Sequence, residues 1–174
     1  MKYLVKFFVV TLFLTFSTHS FAEQKIVVLD MKYVLNSSKA GKEAQDFLKK
    51  KFNQNAKKFS ELEKSLKKEE NDLLSKRSEL SKEQYKKESD ALRKKVIDYQ
   101  SNRRKSLDKI ATQRAEARKK LLDHLKPIVN TYMNENEISL VIDKKNMLGG
   151  KPEYDITNTI VDKLDKELPS LKLE

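Results

Sequence analysis

A heptad repeat in the first half of the chain is the feature that most limits its fold. Large apolar residues recur at every seventh position, and no glycine or proline follows Gly41 within this stretch. The repeat consists of Phe52, Phe59, Leu66, Leu73 and Leu80. Leu48, Ala56, Leu62 and Leu74 fall on or beside the same face. Such a stripe, flanked by charged residues, predicts a long α-helix that packs against another helix.

A second apolar ridge follows a short interruption at residues 75–81. Ser81 and Gln84 have the spacing of a capping box, which indicates the start of a new helix. The ridge comprises Tyr85, Leu92, Val96 and Tyr99 and, after a one-residue shift, Leu107, Ile110, Ala117, Leu121, Leu125, Ile128 and Tyr132. We expect the shift near Arg103, and Pro127, to bend or locally unwind this helix.

Two long helices joined by a short interruption predict an antiparallel hairpin. At 1.5 Å per residue, its arms extend roughly 60 Å and 75 Å. The tip near residues 75–81 fits a turn of either two or six residues. The hairpin arm is assigned to residues 41–135.

Short apolar runs typical of strands lie at both ends of the chain. Residues 25–30 and 138–143 are rich in β-branched residues, and residues 146–148 are a third candidate strand. Asp30 is placed to cap a short helix. A last amphipathic helix, capped by Asp155 or Thr157, is predicted before Pro169.

The fold class that follows is mainly α, with a small β body interrupted by a long helical arm. The body comprises residues 23–40 and 136–174. Two or three short strands do not make an independently stable sheet. Either they pack on the terminal helices alone, or several copies of the chain combine their strands, and we favour the second arrangement.

Residues 1–22 have the features of a secretory signal peptide. Lys2 and Lys6 precede an apolar run from Phe7 to Phe16, and small residues stand at Ser20 and Ala22. The run is too short to span a bilayer, which needs about 20 residues. We therefore expect cleavage after Ala22 and export. The chain contains no cysteine, which excludes a lipidated N-terminus and disulfides.

The remaining residues lack the motifs of catalysis. His124 is the only histidine after residue 22, so no transition-metal ligand set is visible. No P-loop, dinucleotide-binding or nucleophile-elbow motif is present. Carboxylates alternate with lysines at helical spacing, as on a solvated surface. We expect neither an enzyme nor a cofactor.

Basic residues dominate the second arm. The formal net charge is +11, and it falls to +9 without the two lysines of residues 1–22. Residues 101–126 hold nine Lys or Arg against three acidic residues. This surface indicates either a soluble rod or attraction to an anionic partner. Because the chain is exported, we expect lipid head groups, lipopolysaccharide or acidic proteins rather than nucleic acid.

Both ends of the chain resemble the Skp/OmpH family of periplasmic chaperones. The first stretch, residues 26–44, reads IVVLDMKYVLNSSKAGKEA. The second is LVIDKKNML at 140–148, followed by YDITNTIVDKL at 154–164. The resemblance covers the whole chain after residue 22 in layout, although residues 45–135 add topology rather than identity.

The resemblance implies a jellyfish-like homotrimer that holds unfolded outer-membrane proteins in a cavity without ATP, in the periplasm. The implied trimer body includes Ile26, Val27, Val28, Leu29, Leu140, Val141, Ile142, Ile156, Ile160 and Leu164. Apolar arm residues expected to face the client are Leu62, Leu66, Leu73, Leu74, Leu92, Val96, Ile97 and Tyr99. A lipopolysaccharide site implied by the family corresponds to Arg93, Arg103 and Arg104.

Two other functions remain open from the residues themselves. A spacer coiled coil of the cell envelope would have strong heptads and few apolar groups outside the seam. Leu74, Ile97 and Leu122 lie beside the main ridge, which favours a client-facing role instead. A binder of anionic lipid or lipopolysaccharide would lose its ligand as salt increases.

Overall fold

The computed structural model describes residues 24–173. It is mainly helical with one two-stranded sheet. The elements, in chain order, are β1 (Lys25–Leu29), α1 (Met31–Ser37), α2 (Lys39–Ser75), α3 (Lys82–Glu135), β2 (Ile138–Asp143) and α4 (Thr157–Glu167). The predicted signal peptide and its cleavage point after Ala22 lie outside the described residues.

Helices α2 and α3 form the predicted arm. Helix α2 has 37 residues and begins two residues before the expected Gly41, because the Ser38 side chain accepts a hydrogen bond from the Gly41 N–H. The tip is the longer of the two expected turns, since residues 76–81 lie outside both helices. The predicted capping box of Ser81 and Gln84 is confirmed, with reciprocal bonds of 3.2 and 3.1 Å.

Helix α3 is continuous over 54 residues. The local unwinding predicted as one outcome near Arg103 and Pro127 is therefore wrong, and the bend predicted as the other stays a prediction. Pro127 removes one intrahelical hydrogen bond, but its neighbours Leu125 and Ile128 are buried in the core of the body. Tertiary packing on both sides of the proline keeps this turn helical.

The sheet consists of β1 and β2 in parallel register. Ile26 pairs with Leu140, Val28 with Ile142 and Leu29 with Asp143. The third strand predicted at residues 146–148 is wrong, because Lys144–Asn146 forms a 3-10 turn capped by the Asp143 carboxylate. The outer edge of β1 is partly covered instead by the Ile156 N–H, which donates to the Val28 carbonyl at 2.9 Å.

The short helices of the body have distinct N-terminal caps. Asp30 accepts a hydrogen bond from the Tyr33 N–H at 2.8 Å, as predicted. At α4 the cap position is Ile156, not Asp155 or Thr157. Asp155 nevertheless accepts from the Thr157 N–H at 3.0 Å, and Thr157 Oγ1 accepts from the Asp30 N–H at 2.9 Å.

The core of the body lies where α1, α4 and one face of the sheet meet the base of the arm. Its fully buried side chains include Val34, Leu125, Ile160 and Leu164. Leu171, near the end of the chain, is buried in the same core, and its N–H donates to the Glu43 carboxylate on α2. This core fixes the base of the arm, while the rest of the arm is a two-helix rod.

Candidate functional site

The seam of the arm contains most of the apolar residues that were expected to face a client. Leu73 is buried between the two arm helices. Four others of the predicted set are half-buried, namely Leu66, Leu92, Val96 and Tyr99. Packing between two helices leaves these side chains little surface for a partner.

Three members of that set stand outside the seam. Leu62, Leu74 and Ile97 each expose between 41% and 58% of their surface. Phe52 and Leu107, placed on the ridges by the sequence, are exposed to a similar degree. Leu122, in contrast, packs against the core of the body. The arm therefore carries isolated apolar side chains along a charged surface, at the middle and near the tip.

Polar contacts between the arm helices are few in the part of the chain that the structure describes. Tyr99 donates to Glu63 at 3.2 Å, and Lys95 pairs with Glu69 at 2.6 Å. Partial desolvation and the Glu63 carboxylate raise the pKa of Tyr99, which keeps the phenol protonated and donating. These contacts fix the register of the middle of the arm.

Positive charge is concentrated in the half of the arm nearest the body. We call residues 39–58 and 101–126 the proximal arm, and residues 59–100 the distal arm. The proximal arm holds sixteen Lys or Arg and five Asp or Glu, whereas the distal arm holds eleven and ten. The proximal arm is therefore strongly cationic and the distal arm almost neutral.

A groove of about 600 Å³ lies between α2 and α3 in the proximal arm. Its floor is apolar and includes the buried Leu48, Ala117 and Leu121. It is also lined by three exposed basic residues, Lys49, Arg114 and Arg118, and by the exposed carboxylate of Asp46. Among residues 24–173, no ion pair involves any lysine or arginine of the proximal arm.

This groove was not predicted from the sequence. Its sequence signal is the presence of small residues, Ala44 and Ala117, where the heptad ridges would otherwise carry large ones. Small side chains on facing helices leave a depression, and more basic than acidic residues then lie around it.

The three arginines predicted to bind lipopolysaccharide are all exposed but do not form one cluster. Arg93 and Arg104 are eleven residues apart on a continuous helix, which puts them on the same side about 16 Å apart. Arg103 lies about 100° further round α3. There it joins Phe59, Glu63 and Tyr99 around a cavity at the seam.

The face of the sheet away from the core exposes apolar residues. Ile26 and Leu140 are directly paired and lie 42% and 49% exposed. A concave surface beside them is lined by Val28, Ile142 and Tyr154. An apolar sheet face in contact with water is unfavourable in an isolated chain, so this face is a candidate for contact with another copy.

The other residues predicted for a trimer body belong to the chain's own core. Val27, Leu29, Ile156, Ile160 and Leu164 are buried there, and Val141 packs against them. The structure therefore divides the predicted set into residues that stabilise one chain and residues that remain available to a partner.

An ion pair connects the turn after β2 to the start of α4. Lys144 Nζ lies 2.7 Å from the Asp155 carboxylate. Burial would raise the pKa of Asp155, but hydrogen bonds from Lys144 and Thr157 outweigh it and lower the pKa. The hydrogen bond to Asp155 raises the pKa of Lys144. Both groups are therefore charged at neutral pH.

Metal binding and membrane insertion would depend on the acidic residues, the histidine and the long helices within residues 24–173. Within that range no three acidic or histidine side chains group so as to hold a metal ion. No described helix is both long and apolar enough to cross a membrane. His124 is about half exposed, and its Nδ1 lies 3.9 Å from Glu167.

A match to a protein family shows which proteins this chain is related to. The family profile described as outer membrane protein (OmpH-like) matches residues 25–164. The chain belongs to the OmpH-like family. The match covers both strands, the whole arm and most of α4, so the resemblance seen at the ends of the sequence is confirmed.

A solved structure of the OmpH-like type has the same fold. It is a crystal structure from Caulobacter crescentus CB15, described as an OmpH-like outer membrane chaperone. The TM-score is 0.80 at 18% sequence identity, over 91% of this chain and 94% of that one. Curated proteins give no significant match to this sequence.

Proposed function

We propose that this OmpH-like protein is an ATP-independent holdase chaperone of the periplasm. It binds unfolded outer-membrane β-barrel proteins and prevents their aggregation before membrane insertion. The observation that carries the proposal is an arm whose seam is packed while Leu62, Leu74 and Ile97 remain exposed. Weak apolar contacts scattered along a charged rod suit the reversible binding of unfolded chains. Membership of a chaperone family supports the same role.

Assembly as a homotrimer is part of this proposal. The exposed pair Ile26 and Leu140 supports contact between sheets of neighbouring copies. Three copies would place three arms around one space, and the basic proximal arms would line its inner end. Acidic clients would be attracted to this end by charge complementarity.

The experiment is light scattering of residues 23–174, alone and after addition of a urea-diluted outer-membrane barrel protein. A trimer that carries the client into a soluble complex supports the proposal. A monomer, or an oligomer beside which the client precipitates, contradicts it and favours a spacer coiled coil.

A second candidate function is binding of lipopolysaccharide or an anionic membrane surface. The observation that favours it is the exposure of Arg93 and Arg104 on one side of α3. Replacing Arg93, Arg103 and Arg104 by Glu would then weaken binding to lipopolysaccharide. Unchanged binding would remove this candidate.

A further inference from the structure

The groove in the proximal arm combines three properties that point to one class of ligand. Its floor is apolar, the charged side chains around it are three cations and one carboxylate, that of Asp46, and the cations have no ion-pair partner within residues 24–173. An apolar ligand alone would leave the cations unused, and a purely anionic ligand would leave the floor unfilled. A ligand that carries both apolar and acidic groups would use both features.

The dimensions of the groove suit a short extended peptide. A volume of about 600 Å³ lies within the roughly 300–1,000 Å³ typical of binding pockets. Gln45 and Phe52 line it at positions seven residues apart on α2, which corresponds to about 10 Å. That length accommodates about three residues of extended chain at about 3.3 Å each.

The positions of the basic residues also suit a peptide. Arg114 and Arg118 are one turn apart on α3, with Cβ atoms about 5–6 Å apart, and Lys49 stands on α2. Carboxylates on every second residue of an extended chain share one face and could reach cations on both helices. The half-exposed ring of Phe52 offers an aromatic contact at one end.

We propose that this groove anchors an acidic, apolar segment of an unfolded client, with an apolar side chain on the Leu48–Leu121 floor and carboxylates at Lys49, Arg114 and Arg118. The proposal rests on the proposed chaperone function and names the feature of the client that is recognised first. The almost neutral distal arm then contacts the rest of the client through its scattered apolar residues.

The test uses residues 23–174 and a short fluorescein-labelled peptide in which aspartate alternates with phenylalanine. A second peptide with lysine in place of aspartate is the ligand control. Anisotropy titrations compare the unaltered protein with Arg114→Gln/Arg118→Gln and with Phe52→Ala. Lys67→Gln/Lys86→Gln is the matched variant, because it removes two exposed charges from the distal arm.

We expect the acidic peptide to bind and the lysine peptide not to bind. Arg114→Gln/Arg118→Gln should lower affinity for the acidic peptide by about tenfold, since it removes two charge contacts. Phe52→Ala should lower it less, and the matched variant should bind as the unaltered protein does. Helical content, followed by circular dichroism, should be the same in all variants.

Four results would overturn the proposal. Equal weakening by the matched variant would assign binding to net charge, and unchanged binding by the arginine variant would exclude the groove. A changed oligomer mass in the groove variants would show a second copy there. Groove-dependent binding of dodecyl phosphate, without binding of the peptide, would assign the groove to a lipid.

The proposed function is judged separately, by suppression of client aggregation. If the unaltered protein suppresses aggregation but does not bind the peptide in the groove, the groove proposal alone fails. If neither occurs, both fail.

Discussion

The ring of Tyr99 on α3 meets the ring of Phe59 on α2 edge to face, with centroids 6.0 Å apart and planes at 71°. The same tyrosine donates to Glu63 on α2. Phe59 is buried at the boundary between the basic proximal arm and the almost neutral distal arm. This pair therefore joins the two arm helices by both an aromatic contact and a hydrogen bond.

Loss of the Phe59 ring should destabilise the arm. We expect Phe59→Ala to lower the free energy of unfolding by about 3 kcal/mol, because a buried ring and its aromatic contact are removed. Urea unfolding followed by circular dichroism measures this. Tyr99→Phe is the control and should cost much less than the loss of the ring, since it removes only an exposed hydrogen bond. Equal effects of the two variants would contradict the importance of the ring contact.

Gly41 is required where α1 and α2 meet. A Cβ at this position would clash with the Leu35 carbonyl oxygen, a backbone atom that cannot move alone. We expect Gly41→Ala to destabilise the protein by about 3 kcal/mol, the upper end of overpacking costs. Gly149→Ala is the matched control, because its Cβ would meet nothing within 4 Å. If Gly41→Ala leaves the temperature of thermal unfolding unchanged, α1 is not fixed against α2.

The arm could be predicted from the sequence because its determinants are local. The heptads, the capping box at Ser81 and the break before it specify two helices and a turn without reference to the rest of the molecule. Pro127 does not unwind α3, for the opposite reason. Its local effect is outweighed by the burial of Leu125 and Ile128, which only the folded body provides.

The body was less predictable because its contacts join distant parts of the chain. Nothing in the sequence specifies that β1 and β2 are parallel or that Ile26 stands opposite Leu140. The apolar residues of both strands were assigned to one trimer set, whereas the register separates buried from exposed members. Residues 146–148 resembled a strand but follow a turn that the Asp143 carboxylate caps.

The Lys144–Asp155 pair predicts a dependence of stability on acid. The folded-state pKa of Asp155 is lowered, so its contribution is present above the unfolded pKa and is lost as pH falls through the folded pKa. We expect Asp155→Asn to lower stability at neutral pH and to flatten the loss of stability below about pH 4. Glu153→Gln is the control, since this exposed carboxylate lies in the same loop, 3.5 Å from Lys151. Parallel pH profiles for Asp155→Asn and the unaltered protein would contradict the prediction.

The exposed pair on the sheet predicts the site of assembly. We expect Ile26→Asp/Leu140→Asp to reduce the mass measured by light scattering to that of one chain, because two charges would be buried without partners at the contact between sheets. The arm should remain helical in circular dichroism. Ile97→Asp, on the arm, is the control and should leave the mass unchanged. An unaltered mass for the double variant would place the contact between copies elsewhere.

The exposed apolar residues of the distal arm predict where chaperone activity is lost. We expect Leu62→Ser/Leu74→Ser/Ile97→Ser to need about tenfold more protein for equal suppression of client aggregation. Each apolar side chain buried by a client contributes on the order of 1 kcal/mol, and contacts spread over several arms compensate part of the loss. The matched control, Asn53→Ser/Asn71→Ser/Gln100→Ser, introduces the same number of serines at exposed polar positions of the arm. It should act as the unaltered protein does. If both triple variants lose activity equally, the loss comes from weaker helices, and client contact would not depend on these three side chains.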